Sequence, residues 1–291
     1  FGGMFRMTKE IKQNVGTVEV PDTVESAVAL EYSFVEALVK LDVNVTGIAD
    51  DNNVDNLDSE TRKNVGSYQS VGHRQTPSVD DIKNAEPQVI FADEDRHKSI
   101  FEDLNSIAPT VLVKSFDADY KQNKESFDYI AKVVSKQYEG KTILDNHEKE
   151  IKDLSSKVRI DKDVATIAGV VTDQDLIIHA SKSYVGQLLE DVGFKAGISK
   201  ENENDLPGYM GADYHKLPIS KVAEVNPERL IVMVDEDNQK DFNNLKESDV
   251  WNQLDAVKNN RVHEVNRETW AKHRGLVAAE QILEDITQFT E

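Results

Sequence analysis

Arginine is scarce in this chain: nine residues stand against 25 lysines among 291. Four of the nine, Arg74, Arg96, Arg267 and Arg274, fall in loops that follow predicted strands or open predicted helices. A guanidinium is a planar fork that meets a carboxylate through two parallel hydrogen bonds and resists deprotonation. Gathered in a cleft, such groups make a positive island suited to a polycarboxylate, on a body of formal net charge -20. Any one of them alone reads as a surface ion pair; the four together share one kind of context. His179 ends the apolar run Leu176–His179, where it is either a satisfied rim histidine or a donor facing a ligand. Tyr209 and Tyr214 lie in the glycine-containing segment GYMGADY at 208–214. Loop tyrosines offer a flat apolar face and a hydroxyl donor, which suits small-molecule capture as well as loop packing. Trp270, between Arg267 and Arg274, reads as a buried anchor for that loop.

Signatures of catalysis are missing. The sequence has no glycine-rich phosphate loop, no G-x-S-x-G elbow and no H-E-x-x-H. His147-Glu148 begins a zinc motif, but Ile151 stands where the second histidine belongs. Acidic residues abound, yet nothing singles out a catalytic pair, and the chain is read as a binding protein rather than an enzyme. With no cysteine, thiolate chemistry, disulfides and Cys-based zinc sites are excluded. The negative charge repels phosphate backbones, so nucleic acid is excluded as a partner. No run approaches the roughly 20 apolar residues of a membrane span.

The elements that would position these residues alternate. Predicted strands at Ala27–Leu30, Val45–Ala49, Gln88–Ala92, Thr110–Val113, Ala165–Val171, Leu176–His179, Arg229–Val234 and Arg261–Val265 are separated by helical patterns, which argues an α/β fold with mainly parallel sheets. Glu139–Val158 is a charged helix with a narrow stripe of Ile143, Ile151, Leu154 and Val158. Its central position suits a rigid connector. The halves echo each other: PSVDDIKNAEPQVIFAD at 77–93 matches PISKVAEVNPERLIVMVD at 218–235, and each is followed by Glu-Asp to complete an acidic triplet. A polar loop precedes each unit, His73-Arg74 in one and Tyr214-His215-Lys216 in the other. The organisation expected is a disordered tail or cloning remnant at 1–14, a lobe at 15–138, the connecting helix at 139–158 and a second lobe at 159–291. A ligand would sit in the cleft between two Rossmann-like lobes, near strand ends. The terminal segment His273–Phe289 is amphipathic, with Leu276, Ala279, Leu283 and Ile286 on its buried face.

Several motifs together resemble a known family. VKNNRVHEVNRETWAKHRG at 257–275, LEYSF at 30–34, VGHR at 71–74 and SYVGQ at 183–187 are similar to segments of class III siderophore-binding lipoproteins of ABC importers, nearest the branch that includes receptors for staphyloferrin A and ferric citrate. The resemblance covers nearly the whole chain from about Val15. It implies two α/β lobes joined by one long helix, the class III periplasmic-binding-protein fold. It also implies a monomer, lipid-anchored on the outer face of the cytoplasmic membrane of a Gram-positive cell. Its ligand would be a ferric siderophore of citrate or carboxylate type, with iron entering only inside the chelate and no metal ligand from the protein. Ligand contacts carry over onto Arg74, Arg96, Arg267, Arg274, His179 and Tyr214, with Tyr209 beside them. Lys272 stands where the branch has an arginine, Asn56 falls near a second arginine position, and Asp173 falls near a lysine. Fewer fixed charges leave a less anionic citrate hydroxamate open. Docking on an ABC permease would use Asp80 on the first lobe and Glu224 on the second, beside Ser220. A haem-binding relative on the same fold is the alternative; it would need axial donors such as His179 with Met210.

Overall fold

The computed structural model describes residues 7–210 and 214–291. Residues 1–6 of the expected tail and 211–213 of the 208–214 segment lie outside the described residues. The chain divides into two compact units. The first holds residues up to Phe116, Gln122–Glu148 and Gly275–Val277; the second holds Asp117–Lys121, Lys149–Arg274 and Ala278–Glu291. The α-helix Gln137–Ser156 carries the chain from one unit to the other, the division falling after Glu148.

The first unit opens with a hairpin of β1 (Thr8–Gln13) and β2 (Gly16–Pro21), joined through Asn14-Val15. For residues 8–14 this corrects the reading of a disordered tail. β1 is almost wholly polar, and only Ile11 packs on the core, so its apolar signal is weak. Pairing with β2, whose Val18 and Val20 are buried, is what orders it. The central sheet comprises β3 (Ala27–Ala29), β4 (Val45–Ile48), β5 (Gln69–Ser70), β6 (Val89–Asp93) and β7 (Thr110–Val113). Its order is β5-β4-β3-β6-β7, all parallel. A parallel sheet is covered on both faces, so its strands are continuous apolar runs; every residue of β3 and β6 is buried. β7 is an edge strand. The side-chain amide of Gln13 closes part of that edge: its Nε2 donates to the Thr110 carbonyl (2.9 Å) and its Oε1 accepts from Leu112 N–H (2.7 Å).

The second unit is built on β8 (Thr166–Thr172), β9 (Asp175–His179), β10 (Tyr214–Pro218), β11 (Arg229–Val234) and β12 (Val262–Asn266), in the order β10-β9-β8-β11-β12. β8, β11 and β12 run parallel, whereas β9 and β10 are antiparallel to their neighbours. Tyr214-His215-Lys216, expected as a loop, is therefore strand. The alternation of buried Tyr214 and Leu217 with exposed Lys216 is short, and pairing with β9 decides the outcome. The Pro-helix-Pro-strand echo holds in both units: helix Val79–Asn84 precedes β6, and helix Ile219–Val225 precedes β11.

One buried carboxylate fixes the start of the last helix, Leu276–Thr287. Glu36, on the helix Tyr32–Lys40, accepts from the N–H groups of Leu276 (2.8 Å) and Val277 (2.6 Å), two donors that a helix leaves unsatisfied. Gly275 is needed because a Cβ there would lie 2.0 Å from Glu36 Oε2. Burial pushes the Glu36 carboxyl up to about 7; the charge of Asp58 adds to this, while Lys40 and the two N–H groups oppose it.

Two outcomes follow from this contact. Gly275→Ala should lower stability by about 1–3 kcal/mol, the usual cost of overpacking, read as a drop in Tm. Because the folded pKa of Glu36 lies above its unfolded value, the folded state binds the extra proton. Its contribution to stability should therefore fall as pH rises from about 4.5 to about 7 and then level off. Tm measured across pH 4–8 should show that slope in the wild type and a shallower one in Glu36→Gln.

Candidate ligand-binding site

In the first unit two arginines sit on loops at the carboxyl ends of parallel strands, the edge where ligands of open α/β sheets bind. Arg74 follows β5. Asp51, just past β4, grips it through three bonds: Oδ1 accepts from the Arg74 backbone N–H (2.8 Å), and Oδ2 accepts from Nε (3.1 Å) and NH2 (3.0 Å). The guanidinium carbon lies 4.0 Å from the centre of the Tyr32 ring, and the Tyr32 hydroxyl donates to Asp51 Oδ2. Arg74 is 7 % exposed, and its NH1 is buried without a hydrogen-bond partner. Burial alone would raise the Asp51 carboxyl, but the Arg74 charge and hydrogen bonds outweigh it and hold the pKa below the ordinary value. Asp51 and Asn52 adopt left-handed backbone conformations, which aspartate and asparagine tolerate better than most residues.

Arg96 follows β6. Its NH1 reaches both oxygens of buried Glu31 (3.4 and 3.2 Å), and its guanidinium carbon sits 4.1 Å from the Phe116 ring centre. The turn beneath it is organised by Asp93, which is fully buried. Asp93 Oδ1 accepts from the N–H groups of Ser115 and Phe116, and Oδ2 from those of Asp95 and Arg96. Four charge-assisted bonds satisfy this carboxylate without a cation.

The second unit repeats the device. Asp235, at the end of β11, accepts at Oδ1 from the N–H groups of Asp237 and Asn238. Its Oδ2 lies 3.3 Å from Arg267 NH1 and 3.7 Å from Lys272 Nζ. Lys272 also pairs with Glu268 at 2.8 Å. These residues belong to a π-helical turn, Glu268–His273, which ends at Arg274 in the left-handed region (φ 52). Trp270 is buried and donates to Asp285, so it anchors this turn from the core side.

His179 ends β9, but β9 runs antiparallel to β8, so His179 pairs with Ala168 near the start of β8. Its ring meets that of Tyr214 edge-on, with centroids 4.6 Å apart. Burial, then the charges of Arg274 and Arg267, lowers its pKa to about 3, so the imidazole is neutral and offers one N–H donor. Tyr214 is buried beside it, and its carbonyl accepts from Tyr209 N–H. Lys216 Nζ lies 5.3 Å from the Tyr209 ring centre.

The structure thus places Arg74 and Arg96 in the first unit on either side of a shared acid: Glu31 bonds Arg96, and its charge acts on Arg74. In the second it brings Arg274 and Arg267 within electrostatic reach of His179, whose ring meets that of Tyr214, and sets Lys272 beside Asp235 with Arg267. Asn56 donates to the Asp50 carbonyl, and Asp173 forms the exposed tip between β8 and β9. Met210 is 53 % exposed. Asp80 is exposed in the first turn of the helix Val79–Asn84; Glu224 is exposed on Ile219–Val225, where it pairs with Lys221. Sequence reasoning missed the acidic partners Glu31, Asp51 and Asp235, and the turn-forming Asp93. The repeated acidic triplet was the available signal for Asp93 and Asp235. Among the described residues no group of three or more His, Asp or Glu is placed to hold a metal ion.

Comparison with known proteins accords with this architecture. The Fe(3+)-citrate-binding protein YfmC of Bacillus subtilis is 32 % identical over 282 residues, covering 96 % of this chain and 85 % of the relative. The putative ABC transporter substrate-binding lipoprotein YhfQ of the same organism is 28 % identical, covering 95 % and 86 %. The fold matches that of Staphylococcus aureus SirA complexed with staphyloferrin B, with a TM-score of 0.80 at 21 % identity over 96 % of this chain and 97 % of that one. The periplasmic binding protein family model matches residues 27–269, and by that match and the YfmC likeness this chain belongs to the periplasmic binding protein family.

Proposed function

We propose that this chain is the substrate-binding component of an iron-siderophore ABC importer and captures an anionic citrate-type ferric siderophore. The observation that carries the reading is the pair of braced cation sets at strand ends: Arg74 and Arg96 on one unit, Arg267, Lys272 and Arg274 on the other. Members of the family are binding proteins rather than enzymes, and the names of YfmC and YhfQ point to ferric citrate and to an ABC transporter.

Ferric iron arrives wrapped by chelate oxygens, as substrate, so the protein supplies no iron ligand. Its guanidiniums instead meet the carboxylates at the chelate's rim. Each guanidinium has five N–H donors, so an internal carboxylate partner leaves capacity for a second one. The internal acids hold the forks still, which lowers the entropy lost on binding. Neutral His179 donates one hydrogen bond, and Tyr214 and Tyr209 present aromatic faces. Within the citrate-based class the sequence motifs favour a chelate of the staphyloferrin A type. Asn56 and Asp173 lower the fixed positive charge relative to that chelate's receptor, and Lys272 keeps a charge without the bidentate fork, so citrate hydroxamates belong in the same test. Lipid anchoring outside the cytoplasmic membrane, action as a monomer, and permease docking through Asp80 and Glu224 complete the reading. Haem capture through His179 and Met210 is less favoured: the imidazole is surrounded by arginine charge and Met210 faces solvent.

The test is a tryptophan-fluorescence titration with ferric citrate, ferric staphyloferrin A, a citrate hydroxamate complex, a ferric triscatecholate and haemin. Citrate-based chelates should quench at far lower concentration than the other two. Tight binding of catecholate or haemin without citrate-based binding would refute the reading. Arg74→Ala and Arg267→Ala, one on each unit, should each weaken binding roughly 10- to 100-fold, the range expected for losing charge-assisted hydrogen bonds. Unchanged affinity in both would remove the arginines from the site.

A further inference from the structure

His97 is fully buried and follows Arg96 in the chain, yet its ring reaches a residue 23 positions away. Nδ1 accepts from the Asp93 backbone N–H at 2.7 Å. That N–H can only donate, so Nδ1 carries no proton and the ring proton sits on Nε2. Nε2 therefore donates to the backbone carbonyl of Arg74 at 2.5 Å. One neutral imidazole joins the turn after β6, which carries Arg96, to the loop after β5, which carries Arg74. Other ties to these loops run to other elements: Asp51 holds Arg74 from the end of β4, and Glu31, at the end of β3, bonds Arg96 while its charge also acts on Arg74. Of these bonds, the one from His97 links the two loops to each other.

We propose that His97 is a positioning residue for ligand capture, setting the distance between the Arg74 and Arg96 guanidiniums to match two carboxylates of one citrate-type ferric chelate. This rests on the function proposed above. A bidentate guanidinium contact tolerates little misplacement, so a loop free to shift loses affinity without losing its arginine. The imidazole is enclosed by protein and leaves no surface for a ligand. It acts through Arg74 and Arg96.

Two substitutions separate this role from general support of the fold. His97→Asn places an amide oxygen near the Nδ1 position, keeping an acceptor for Asp93 N–H, but is too short to reach the Arg74 carbonyl. His97→Gln extends an amide N–H toward that carbonyl. Ferric citrate affinity should fall about tenfold or more in His97→Asn and return to within about threefold of wild type in His97→Gln. In an Arg74→Ala background, His97→Asn should cost less than about twofold, because the group it positions is gone. Wild-type affinity in His97→Asn, or a loss that simply adds to that of Arg74→Ala, overturns the proposal while leaving the functional reading intact. If the wild-type protein binds no citrate-based chelate, the functional reading fails and the positioning role falls with it.

Discussion

A carboxylate satisfied by backbone N–H groups at the end of a central strand is the interaction on which the candidate site residues of each unit depend. Asp93 and Asp235 stand at equivalent points, the ends of β6 and β11, and each folds the following turn around its own oxygens. A buried carboxylate is costly unless fully hydrogen-bonded. Asp93 meets that condition with four backbone donors. Asp235 spends one oxygen on its turn and turns the other toward Arg267 and Lys272. The same residue type thus does two jobs: it closes a strand and it orients a cation.

This arrangement changes the electrostatic picture drawn from composition. The arginines were expected as a positive island. In the structure Arg74, Arg96, Arg267 and Lys272 are each matched to an internal acid: Asp51, Glu31, Asp235 and Glu268. The overall charge of -20 therefore does not stop short of these residues; some of it is used to hold them. On the proposed function, selectivity for a polycarboxylate would come from the direction of the remaining N–H donors more than from net charge. Directional donors of this kind discriminate between chelates of similar charge and different shape.

Much of the fold was legible because parallel strands are apolar on both faces. β7 and β11 fall on their predicted residues, and β3, β4, β6, β8, β9 and β12 within a residue or two. The strands that escaped notice are those whose order comes from a partner: β1 and β2, which pair with each other as a hairpin, two-residue β5, and β10, which lies against β9. The guanidiniums were visible because arginine is rare here. Of their acidic partners, Asp235 was marked by the repeated triplet, whereas Asp51 and Glu31 were hidden among 54 Asp and Glu residues, where identity alone carries no signal. His97 was equally silent. Its neighbours in sequence say nothing of a bond to a carbonyl 23 residues earlier.

The amide of Gln13 has a consequence beyond its own two bonds. By occupying the Thr110 carbonyl and the Leu112 N–H, it supplies to the rim of β7 what a neighbouring strand would supply. An unprotected rim is a template for β-augmentation by another polypeptide. With those two groups engaged, a foreign strand would first have to displace the glutamine, so intermolecular sheet growth is blocked at that margin by a single side chain.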